Sequence, residues 1–177
     1  IEINVAPEPL AGDRMRILEN GLRTSLDTAD ARAREQGCAL AMIGMLPTLG
    51  KDHFAHQWLS SNPRYDLLNQ QIFAARGEDI ELSITGVPLP GSHEIESLNE
   101  ISDTILPEAA CTSVQLHLQV SPTEFPAHWN AAQALAGVQV ALAANSPFLA
   151  GKALWHETRI PLFEQATDTR PQELKNQ

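Results

Sequence analysis

Three short stretches of this chain hold the residues best suited to chemistry. Glu2 and Asn4 alternate with Ile1, Ile3 and Val5. Gln115, His117 and Gln119 alternate with Val114, Leu116, Leu118 and Val120. Arg159 and Arg170 flank the acidic Glu164 and Asp168. A carboxylate such as Glu2 suits a hard cation like magnesium, which takes oxygen ligands and keeps several waters. A histidine such as His117 can ligate a metal or carry a proton near neutral pH. Arginine grips carboxylate or phosphate with two parallel N–H donors. Plainer readings stand beside these: a wet strand face for Glu2, a structural imidazole for His117, and surface ion pairs of little energetic weight for the arginines. His53, His56, His93, His128 and His156 lie in helical or loop contexts with no matching spacing.

The period-two alternation in residues 1–5 and 114–120 predicts two strands, each with an apolar face and a polar one. A solvated face more often carries Lys, Glu and Thr, so the two polar faces together point to a cleft lined by metal- or substrate-binding groups. Apolar residues at three- and four-residue spacing (Met15, Leu18, Leu22, Leu26, Ala29, Ala33) predict a helix over 9–36, stopped by Gly37. A buried strand is expected over 38–46, ended by Pro47. Two helical pieces are expected within 53–78, separated by Ser61-Asn62-Pro63, with Leu67, Leu68, Ile72 and Phe73 facing the core. Ile80–Ile84 reads as a strand, and the Gly- and Pro-rich run after it as a surface excursion. Ser121-Pro122-Thr123-Glu124 has the form of a capping box opening a helix that buries Phe125, Trp129, Ala132 and Ala136. A last helix is expected to begin at Pro171. Strands mixed with long helices, without a Gly-rich phosphate loop or a regular β-α-β rhythm, predict an α+β fold with helices on one side of a sheet.

The net charge of -10, with 22 acids against 12 bases, disfavours nucleic acid as a partner. Small anionic substrates are held by local cations and are not excluded. No apolar run reaches the roughly 20 residues a membrane helix needs, and no signal pattern opens the chain, so a cytoplasmic location is expected. Cys38 and Cys111, the only cysteines, read as buried thiols in apolar stretches.

The wording of five segments is more specific than any of these patterns. Ile1-Glu2-Ile3-Asn4-Val5-Ala6-Pro7, Asn62-Pro63-Arg64-Tyr65, Cys111-Thr112-Ser113-Val114-Gln115-Leu116-His117-Leu118, Ala144-Asn145-Ser146-Pro147-Phe148 and Glu157-Thr158-Arg159 resemble, in order and spacing, successive motifs of glutamate-cysteine ligase family 2. The resemblance implies the glutamine-synthetase-like superfamily, in which a curved, mainly antiparallel sheet forms a funnel for ATP, divalent ions (Mg2+ or Mn2+) and glutamate. It implies that ATP phosphorylates the glutamate side-chain carboxylate and that an amine such as cysteine displaces the phosphate. Carried over by position, Glu2 becomes a magnesium ligand, and His117 falls at the second metal and phosphate position. Arg159 contacts the transferring phosphate or the glutamate carboxylate, Arg64 matches a substrate-side arginine, and Arg170 matches a basic position on the nucleotide side. Gln115 stands where many bacterial members carry histidine, and Gln119 where a small or acidic residue is common, which brings the chain closer to the plant-like branch and leaves the amine acceptor open.

The family's Glu-x-Glu strand is expected upstream of Ile1 and further strands beyond Gln177. Residues 1–177 are therefore read as a single domain piece from the centre of a larger catalytic domain, inactive alone. Two other readings remain at this point: a non-catalytic module binding glutamate or nucleotide, and an assembly piece whose exposed sheet edge favours a homo-oligomer.

Overall fold

Apolar spacing near 3.6 residues winds Arg14–Glu35 into helix α1. The structure, a computed structural model, describes residues 2–88 and 90–175. It divides into two compact units, Ile1–Met42 and Ile43–Gln177. The secondary structure is mixed, with small antiparallel sheets, so the expected α+β class holds.

In the first unit α1 half-buries Leu18, Leu22, Leu26, Ala29 and Ala33, as their spacing predicts, whereas Met15 is exposed. Glu19–Arg23 and Asp30–Arg34 pair one turn apart on its wet side. Gly37, at φ 70°, ends the helix in the left-handed conformation. The expected strand 1–5 is not formed over its described residues 2–5, and Ile1 lies outside the described residues. A strand requires a ladder partner, and residues 2–5 have none among the described residues. The expected strand 38–46 fails for the same reason, and Cys38 is exposed rather than buried.

In the second unit two short 3-10 turns, Lys51–Phe54 and His56–Trp58, precede helix α2, Pro63–Arg76. Asn62 caps α2 by accepting from the Arg64 N–H at 3.0 Å, with Pro63 in the first turn. Phe73 packs against the core as expected, but Leu67 and Leu68 are exposed. The buried residue of α2 is instead Arg76, whose Nη1 donates to the Gln165 and Asp168 carbonyl oxygens at 3.1 and 2.8 Å.

Strands β1 (Ile80–Thr85) and β2 (Ser97–Ser102) pair antiparallel, from Ile80↔Ser102 to Thr85↔Ser97. The expected surface excursion thus contains β2. It escaped the sequence reading because it buries Leu98 and Ser102 while Ile101 faces out, a pattern without apolar alternation. Helix α3 (Leu106–Ala109) follows. After the 113–143 stretch, β3 (Phe148–Leu149) and β4 (Lys152–Ala153) form a second antiparallel pair. Helix α5 (Arg159–Thr167) then packs on β1 and α3, and α6 (Gln172–Lys175) comes last. Met45, Ile80, Leu82, Ile84, Leu98, Leu149, Leu154, Leu162 and Ala166 close together as the core.

The 113–143 stretch does not join that core. Val114–Val120 forms no ladder among the described residues, and Val114 and Leu116 are 86% and 81% exposed. Helix α4 (Phe125–Ala143) forms, but the expected capping box does not: the N-cap is Glu124 with no side-chain cap, and the Ser121 hydroxyl donates to the Glu124 carboxylate instead. Its expected buried side is exposed, however, including Phe125 and Trp129. Local signals suffice to wind a helix, but burial needs an opposing surface, and none of the described residues in this unit covers α4.

Candidate functional site

Three of the singled-out segments meet, through Ser146, through Glu157 and Arg159, and through Thr112. Ser146 and Glu157 form a parallel bridge in which the Ser146 N–H donates to the His156 carbonyl and the Thr158 N–H donates to the Ser146 carbonyl, each at 3.2 Å. The bridge brings the turn after α4 beside the first residue of α5 and puts the side chains of Ser146, Glu157 and Arg159 into one polar cluster. Ser146, Glu157 and Thr158 are buried.

Glu157 is the hub. Its Oε1 accepts from Ser146 Oγ and Arg159 Nε, both at 2.5 Å, and its Oε2 accepts from Arg159 Nη2 at 2.5 Å and the Asn145 N–H at 3.4 Å. Burial pushes its carboxyl toward the neutral form, but the hydrogen bonds from Arg159 and Ser146 outweigh that and hold it below its ordinary value. On the other side, Arg159 Nη1 donates to the Thr112 carbonyl at 2.5 Å. Thr112 is itself tied to the segment before the first 3-10 turn: its N–H and hydroxyl donate to the Gly44 carbonyl, and the hydroxyl also donates to that of Ile43.

Gly44 is part of the site's shape. A Cβ there would lie 2.8 Å from Arg159 Cζ and 2.8 Å from the Asn145 carbonyl oxygen, so the guanidinium lies against bare backbone. Beside it, burial pushes the Cys111 thiol up to about 12, although Arg159 pulls the other way. Cys111, half-buried and packed against the core, is thereby held toward the neutral thiol.

Arg159 opens α5, where the positive end of the helix dipole disfavours a cation. The Glu157 carboxylate offsets that. The Arg159 side chain keeps 21% of its surface exposed. Guanidinium has five N–H groups, of which three are committed among the described residues. One hydrogen on each terminal nitrogen remains for an anion. Chemically, the cluster can hold a carboxylate or phosphate oxygen against a cation whose position is fixed.

Within the second unit, His117, Arg64 and Arg170 lie outside the hydrogen-bond network of this cluster. His117 is exposed on the unpaired 114–120 segment, 3.4 Å from Gln115 Oε1. Arg64 is exposed in the first turn of α2. Arg170 is exposed and pairs with Asp168 through Nε and Nη2 at 3.0 and 2.9 Å, holding that carboxyl down at about 2. Glu2, in the first unit, is exposed and accepts from Asn4 Nδ2 at 3.2 Å. Among the described residues there is no group of three or more His, Cys, Asp or Glu side chains that could hold a metal ion. No helix of the described residues is long and apolar enough to cross a membrane.

Sequence reasoning singled out Arg159 but gave no role to Glu157, Ser146, Thr112 or Gly44. The signal available was the spacing of Glu157 and Arg159, two residues apart on either side of a buried Thr158, which lets both side chains reach one place. Thr112 lies inside one of the quoted segments, whereas Gly44 comes from a segment distant in sequence and leaves no local pattern.

A family model for glutamate-cysteine ligase family 2 matches residues 2–176, and the chain belongs to that family, one of ATP-dependent carboxylate–amine ligases. No curated protein and no solved structure matches the chain.

Proposed function

We propose that this chain serves the ligation of glutamate to an amine such as cysteine. The glutamate side-chain carboxylate attacks the γ-phosphorus of ATP and ADP leaves; the amine nitrogen then attacks the acyl carbon, loses a proton and expels phosphate, leaving an amide. Arg159 is the residue assigned to the anion, either the transferring phosphoryl group or the glutamate carboxylate. Charge develops on oxygens in both steps, and a fixed cation aimed at them lowers the barrier more than a mobile one. The observation that carries this reading is the clamped, part-open guanidinium of Arg159 in a chain of this family.

ATP and Mg2+ or Mn2+ are the cofactors of this reading, with Glu2 and His117 as metal ligands, Arg64 on the substrate side and Arg170 on the nucleotide side. Among the described residues no group of three His, Cys, Asp or Glu side chains could hold a metal ion, and no step is assigned to one. We also take residues 1–177 as one piece of a larger ligase domain in the cytoplasm. The Val114–Val120 segment, with alternating aliphatics and no ladder among the described residues, supports that view, since a strand of this pattern is stable only inside a sheet.

The test is phosphate release from ATP by the full natural protein with magnesium, glutamate and a panel of amines beginning with cysteine. Release that requires glutamate and one amine, and is lost in Arg159→Ala, is the expected result. Nucleotide binding with no release for any amine would overturn the ligase reading in favour of a binding module.

A further inference from the structure

We propose that Glu157 is the positioning residue for Arg159, acting on the anionic substrate only through the guanidinium it holds. This rests on the reading of Arg159 as the anion-binding residue.

A free arginine side chain samples many rotamers, and fixing it on a substrate costs that freedom at the moment of binding. Here the freedom is already gone. Glu157 takes the Nε and Nη2 hydrogens on its two oxygens, each at 2.5 Å, and the Thr112 carbonyl takes one from Nη1. Glu157 cannot swing away, because Ser146 Oγ and the Asn145 N–H hold the same carboxylate from the other side. Gly44 gives the guanidinium a backbone surface to lie on. With a side chain only 10% exposed, Glu157 is itself poorly placed to meet a substrate, whereas Arg159 is more open at 21%.

The pairing also shapes specificity. Glu157 neutralises most of the cation's long-range charge, so a weakly held surface anion gains little from Arg159. A ligand gains chiefly by hydrogen-bonding the remaining N–H on each terminal nitrogen, which suits an oxyanion with two or more oxygens, a carboxylate or a phosphoryl group.

The experiment compares the full natural protein with Glu157→Gln, Arg159→Ala and the double variant. Steady-state turnover of ATP with glutamate and amine is read together with calorimetric binding of glutamate and of inorganic phosphate. Glu157→Gln keeps the side chain's size and an acceptor for Ser146 but loses the charge. It is expected to lower kcat/KM at least tenfold while the protein stays folded by circular dichroism, and to have no further effect on the Arg159→Ala background. A structural role alone would lower the melting temperature and leave kcat/KM of the folded fraction unchanged, which would overturn the proposal. Equal, additive losses in the double variant would also overturn it, since Glu157 would then act independently of Arg159. Should Glu157→Gln fail to fold, Glu157→Asp carries the test: it keeps the charge and shortens the reach, and wild-type kcat/KM there would count against positioning. If Arg159→Ala itself leaves turnover intact, the ligase role of Arg159 fails, a result separate from any effect of Glu157. If the protein turns nothing over, binding decides: anion affinity lost in Arg159→Ala and weakened in Glu157→Gln supports positioning, and no binding by the wild type sinks it.

Discussion

Residues 144–167 and residues 113–143 are neighbours in the chain and similarly rich in apolar side chains, yet they end in opposite states. In the first, Leu149, Leu154, Leu162 and Ala166 close on β1 and β2, and the polar side chains between them are drawn into one network. In the second, nothing is buried from Ser113 to Gln119, and the whole of α4 is exposed. The contrast teaches that a functional side chain is only as well placed as the backbone beneath it. Arg159 sits at the start of a helix that buries Pro161, Leu162 and Ala166, and its guanidinium makes three hydrogen bonds, two to Glu157 and one to Thr112. His117 sits on a segment without a ladder and has one loose side-chain neighbour.

The largest effect that could break this comparison is in the core. Leu162 is fully buried, so Leu162→Ala should cost about 3 kcal/mol through lost transfer energy and a residual cavity. Urea denaturation followed by circular dichroism reads this directly. A change below about 1 kcal/mol would show that α5 is not packed as described. Next comes Gly44→Ala. The added Cβ would meet Arg159 Cζ and the Asn145 carbonyl at 2.8 Å, contacts that real Cβ atoms do not make, so guanidinium or backbone must shift. A loss of about 1–3 kcal/mol is expected, together with weaker anion binding. Unchanged stability and binding would place Arg159 elsewhere.

Acid sharpens the comparison further. The Glu157 carboxyl titrates below its ordinary value of 4.5, because the Arg159 and Ser146 hydrogen bonds outweigh the opposing cost of burial. A carboxyl lowered on folding contributes stability that is complete above the unfolded value and is lost as pH falls through the folded one. The stability gap between the wild type and Glu157→Gln should therefore be constant near neutral pH and shrink below pH 4.5. Denaturation midpoints of both proteins across that range give the answer. A gap that does not change with pH would mean that the charge of Glu157 contributes nothing to its network.

What the sequence showed follows the same division. Helices α1, α2 and α4 and strand β1 were legible because each is specified locally, by apolar period, by Asn62-Pro63 or by the Ser121 turn. Strand β2 was not, because its inward positions include Ser102 and only Leu98 supplies apolar burial. The alternation in 1–5 and 114–120 predicts strands, but a strand is a relation between two segments, and no partner among the described residues completes either one. For the site, motif wording found Arg159. Gly44, Thr112 and Ser146 joined it only through tertiary contacts, from positions at least 13 residues away in sequence for the nearest of them, Ser146.

The smallest expected effect tests the exposed side of the comparison. Leu142 has the same side chain as Leu162 but is 84% exposed. Leu142→Ala should change the stability of the 177-residue chain by no more than about 0.5 kcal/mol, because the side chain loses no packed neighbours and leaves no cavity. Amide exchange supplies a second reading free of mutation. The amides of β1 that pair with β2 should be protected to nearly the full stability of their unit, while those of residues 114–119, without backbone partners among the described residues, should exchange at close to the unfolded rate. Slow exchange in 114–119, or a cost at Leu142 near that at Leu162, would mean that these residues find a ladder and a cover in solution. His117 would then gain the rigid support that Arg159 already has, and its assignment as a metal ligand would become the stronger for it.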